Sequence, residues 1–70
     1  MPHDLIHRST AYDPSRDVML HRFDVRTKHK QWSATMSPIG FSSLLHMEAA
    51  AYELLLSKLI EDRVNLSELV

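Results

Sequence analysis

The chain contains no cysteine and only one glycine, Gly40, in 70 residues. Without cysteine, neither a disulfide framework nor a thiolate metal site can compensate for a small core. A single glycine leaves no Gly-rich loop to cradle a phosphate, and no Ser-His-Asp set can be argued from spacing. No apolar run approaches the ~20 residues that span a bilayer, and MPHDLIHRST lacks the long apolar core of a secretory signal. These absences lead us to expect a soluble, cytoplasmic protein that is not an enzyme and holds no cofactor.

A chain this short removes only about 60% of its unfolded surface from water, so association is a common source of stability at this size. The net charge is −1 and unevenly spread, with six Lys or Arg against four Asp in residues 1–35 and two against five acids in residues 36–70. This asymmetry suits a polyanion at the front half or self-association of front with back.

Residues 1–16 mix polar groups with isolated Leu5, Ile6 and Tyr12 and end in the turn-forming Asp13-Pro14-Ser15, which reads as a flexible arm. From Asp17 the period becomes two. Met19, His21, Phe23 and Val25 share one strand face, with Val18, Leu20, Arg22, Asp24 and Arg26 on the other. A second alternation puts Trp32, Ala34 and Met36 on one face. A turn around Lys28-His29 sets Val25 opposite Trp32, Phe23 opposite Ala34 and His21 opposite Met36, so the apolar faces coincide. Lys-His does not favour positive φ, so a four-residue loop from Thr27 to Lys30 is expected in the same register.

Phe41 to Val64 reads as one helix, starting between residues 38 and 43 on a Ser37 or Ser42 cap and stopping near Asn65. At 100° per residue its apolar arc spans about 240°, against the ~100° that an ordinary surface helix needs. Phe41, Tyr52, Leu55 and Leu59 are expected to face the hairpin. Met47, Leu54, Ala49 and Ile60 flank that stripe, and Ala49, Ala50 and Ala51 would admit a second helix at close range. The expected fold class is therefore α+β: an arm over 1–16, then one β-β-α domain over 17–70 in which an antiparallel β-hairpin precedes one long α-helix. The helix is expected to pack a homodimer through Met47, Ala50, Ala51, Leu54 and Ile60.

Several residues could carry function. Glu48 lies inside the apolar arc, where an unpaired carboxylate would cost several kcal/mol, and His21 is the candidate partner for a buried polar pair. Leu5, Ile6, Tyr12, Val18 and Leu20 have no place beneath the helix, so they are candidate contacts for a protein partner; alternatively, the arm folds back and completes the core. Arg22, Arg26, Lys28, His29 and Lys30 cluster at the hairpin tip and could contact nucleic acid. His3 and His7 have an i, i+4 spacing but no third ligand, so no metal is expected. Pro2 could serve as an N-terminal base only in a different strand order. The expectation is a regulator, adaptor or inhibitor that binds another protein as a homodimer, with a dimeric nucleic-acid-binding regulator as the alternative.

Overall fold

A computed structural model describes residues 3–70, with His3 described by its backbone alone. The ideas that depend on Pro2 and on the His3 side chain lie outside the described residues. A 3₁₀ turn, His3–Leu5, leads into strand β1 (His7–Asp13), followed by β2 (Val18–Arg26), β3 (Gln31–Met36), helix α1 (Leu44–Glu61) and a final 3₁₀ turn, Leu66–Glu68. The strands form one antiparallel sheet in the order β1-β2-β3. The class is α+β, with a three-stranded sheet followed by one long helix.

The β2–β3 pairing has the register expected from coincident apolar faces: Val25 pairs with Trp32, Phe23 with Ala34 and His21 with Met36. The four-residue loop is also present. The Thr27 N–H donates to the Lys30 carbonyl at 2.9 Å, and Thr27 Oγ1 accepts from the Lys30 N–H at 3.1 Å.

The third strand is an addition to the expected hairpin. Within the segment read as an arm, His7–Asp13 pairs with β2 from His7↔Asp24 to Asp13↔Val18. Its apolar alternation is weak because most of it is exposed, and the pairing satisfies a backbone edge of β2 that would otherwise be open. The connection is the turn that Asp13-Pro14-Ser15 suggests. Asp13 Oδ1 accepts from the Ser15 N–H and Oγ, at 3.0 and 2.7 Å, and Asp17 closes the turn at φ 53°.

The helix begins at Leu44, just past the expected window. Ser37 Oγ accepts from the Ile39 N–H, and Gly40 sits at φ 93°, so Pro38-Ile39-Gly40 is a turn and Ser43 becomes the N-cap. The other end stops before Asn65. Arg63 N–H donates to the Ile60 carbonyl and Val64 N–H to the Leu59 carbonyl, a Schellman closure with Arg63 left-handed at φ 56°.

Helix α1 packs on β3 and β2 through Met47, Ala51, Leu55 and Leu59, a row at four-residue intervals whose members are all buried. Beneath it lie Phe23, Val25, Trp32 and Ala34, and Ile6 and Leu69 close the end of the core. The sheet-facing direction is thus rotated about 60° from the expected stripe. Phe41 precedes the helix, so it cannot define a helical face. Met47 and Ala51 are both 0% exposed under the sheet, and this corrects their assignment to a dimer interface.

Candidate functional site

The two sides of α1 are identified by what they reach. Toward β1, Glu48 Oε1 meets Arg8 Nη1 at 2.6 Å. On the opposite side, Lys58 Nζ donates to the Ser33 carbonyl of β3 at 2.5 Å, and Trp32 Nε1 donates to Asp62 Oδ2 at 2.6 Å. The helix therefore straddles β2 and β3 and, beyond the Arg8 contact, leaves the helix-side face of β1 exposed at Thr10 and Tyr12. Cross-strand register puts Arg8, Thr10 and Tyr12 on that face, level with Phe23, His21 and Met19.

Leu45, Ala49, Tyr52 and Leu56, at alternating spacings of four and three, form an apolar seam on the β1 side of the helix, with Ile60 continuing it. Leu45 is 72% exposed and Ile60 69%. Tyr52 is half-buried and meets the Phe23 ring edge-on, with centroids 5.9 Å apart. Tyr12 is 56% exposed on the helix-side face of β1, and its hydroxyl donates to Asp17 Oδ1, which raises the phenol pKa. Exposed Ile39 and Leu44 add apolar surface near the helix N-terminus. The result is a shallow step: an apolar helix flank above an uncovered strand.

The structure separates the other candidates. Ile6 is 8% exposed and belongs to the chain's own core, and half-buried Leu5 packs against that core. Ile6 is drawn in just before β1, at the same end of the sheet as Val25 and Leu69. Tyr12 remains accessible, whereas Val18 and Leu20 are half-buried on the outer sheet face, away from the step. Of the expected dimer residues, Leu54 and Ile60 are exposed and Ala50 is half-buried.

The expected His21–Glu48 pair is replaced by Arg8–Glu48. The guanidinium of Arg8 also lies 5.0 Å from the Phe23 ring centroid, so it caps the core and neutralises the carboxylate together. His21 is half-buried, and no side chain among the described polar residues is fully buried. The signal for this partner was the charge of Arg8, and it carried no weight without the third strand.

The basic residues divide into two groups. Lys28, His29 and Lys30 are exposed on the β2–β3 loop, and Arg26 is exposed at the end of β2. Arg22 is instead tied down on the outer sheet face, where its Nε donates to Asp24 Oδ1 at 2.9 Å and its Nη2 to Ser33 Oγ at 3.1 Å. Ser33 Oγ donates to the same Asp24 oxygen at 2.5 Å. Thr27, Lys28 and His29 line a cleft of about 400 Å³ with Ser67, Glu68 and Val70. Glu68 makes its charge mixed.

Among the described residues, no cluster of three or more His, Asp or Glu could hold a metal ion, and no helix is long and apolar enough to cross a membrane. His7 Nε2 lies 3.3 Å from the Val70 carbonyl oxygen. Comparison with protein-family models, curated proteins and solved structures finds no match to this chain.

Proposed function

We propose that the protein is a small non-enzymatic binding module, a regulator, adaptor or inhibitor that acts by contact with another protein as a homodimer. The observation that carries this reading is the apolar seam of exposed Leu45, Ala49 and Ile60 with half-buried Leu56, on the flank toward β1. Large aliphatic side chains left in water along one helix flank favour a surface that covers them. A second apolar element laid along Leu45 and Ile60 would cover them.

Site-specific photo-crosslinking in extract of the source cells tests this reading. A photoreactive residue at Leu45 is expected to give discrete adducts with another protein, whereas the same group at exposed Glu61, off the seam, gives none. Absence of adducts specific to position 45 counts against the reading.

The second reading is nucleic-acid binding at the hairpin tip, favoured by the exposed Arg26, Lys28, His29 and Lys30 beside the cleft. It is the weaker one, because Asp24 occupies Arg22 and Glu68 shares the cleft. Retention in a mobility-shift titration that falls steeply with salt would support it, and no retention at low salt would remove it.

A further inference from the structure

The two edges of the sheet differ. Along β3, Lys58 caps the Ser33 carbonyl and Asp62 binds the Trp32 side chain, so the helix engages that edge at two residues. Along β1, alternate residues of the seven-residue strand direct their backbone N–H and C=O groups away from β2, in a regular register without a bulge. His7–Asp13 contains no lysine and no proline, and its one inward full charge, Arg8, is paired with Glu48.

We infer that β1 is the self-association edge: it pairs antiparallel with β1 of a second copy, centred on Thr10, to make a continuous six-stranded sheet. This rests on the homodimer of the proposed function and specifies how it forms. A two-fold axis that pairs a strand with itself must run perpendicular to the sheet, so directly opposed residues share a face and both helices lie on one side.

Centring on Thr10 alone uses the whole strand. It sets Thr10 opposite itself, Ser9 opposite Ala11, Arg8 opposite Tyr12 and His7 opposite Asp13 of the partner subunit. No like charges oppose, a basic and an acidic group meet at each end, and an arginine meets an aromatic ring on the helix side. Shifting the centre to Ser9 or Ala11 shortens the overlap and separates His7 from Asp13. Pairing consumes the β1 edge of both copies, so this two-fold contact is closed at two copies.

The helices of such a dimer stand about 19 Å apart, four inter-strand spacings, whereas packed helices approach to 8–10 Å. The seams of Leu45, Ala49 and Leu56 therefore face each other across an open groove floored by Thr10 and Tyr12. Self-association and partner binding then use different surfaces.

Because the chain has no cysteine, single thiols report the register directly. Thr10→Cys is expected to form an oxidised dimer in high yield, since directly opposed Cβ atoms lie about 5 Å apart. Ser9→Cys and Ala11→Cys are expected to cross-link when mixed but not separately, which keeps the test available if one variant misfolds. Ala49→Cys is expected to stay uncross-linked across the groove. A wild-type dimer mass with efficient linkage at Ala49→Cys and none at Thr10→Cys would overturn edge pairing and leave self-association standing. A monomeric mass without linkage at any position would overturn edge pairing and the homodimer together.

Discussion

Arg8 on β1 and Glu48 on α1 join the outermost strand to the helix, with Nη1 2.6 Å from Oε1 and the guanidinium 5.0 Å above the Phe23 ring. The pair lets an apolar helix carry a carboxylate near its sheet-facing side and ties a largely exposed strand to the core. With side chains 47% and 20% exposed, it is screened by solvent and belongs to the range of surface pairs. Glu48→Gln is expected to cost about 0.5 kcal/mol of unfolding free energy. Arg8→Ala is expected to cost about 1 kcal/mol, because it also removes the contact with Phe23. Urea denaturation of both single variants and the double variant gives the coupling, which should shrink at high salt.

The rotation of α1 is tested by two substitutions of similar size. Met47 is fully buried and Leu54 is 42% exposed. Met47→Ala is expected to cost about 2–5 kcal/mol, enough to unfold much of a domain this small, and Leu54→Ala less than about 1 kcal/mol. Thermal melting of the two variants decides it, and the reverse order would put the helix on the other face.

Asp24 gives an acid-side prediction. Partial burial pushes its carboxyl pKa up, but hydrogen bonds from Ser33 and Arg22 outweigh this and hold it below the usual carboxylate value. A depressed folded pKa means that the group stabilises the fold above its ordinary value of about 3.9. That contribution is lost as pH falls through the lower folded value. Asp24→Asn should therefore be less stable than wild type at neutral pH and lose less stability on acidification. Urea midpoints measured for both proteins from neutral to strongly acidic pH check the slope.

Much of this architecture was legible in the residues. The alternation of Met19, His21, Phe23 and Val25 against Trp32, Ala34 and Met36 allowed one register that buried both faces, and the structure has it. Strand β1 was not legible, because Thr10 and Tyr12 face a side of the sheet that the helix leaves open, so no burial enforces alternation there. The helix rotation was hidden for the opposite reason. An arc that is apolar over about 240° offers several stripes of similar quality. Only the sheet selects Met47, Ala51, Leu55 and Leu59, leaving Leu45 and Ile60 outside. Glu48 stood out as misplaced, but its partner Arg8 came into reach only through the unread strand.

The central claim, that this chain works by association and first of all with itself, is tested most directly by sedimentation equilibrium of the unmodified protein across the micromolar range. The account predicts a reversible rise with concentration from the 8.1 kDa chain mass toward twice that value and no further. A single 8.1 kDa species at every concentration would contradict it.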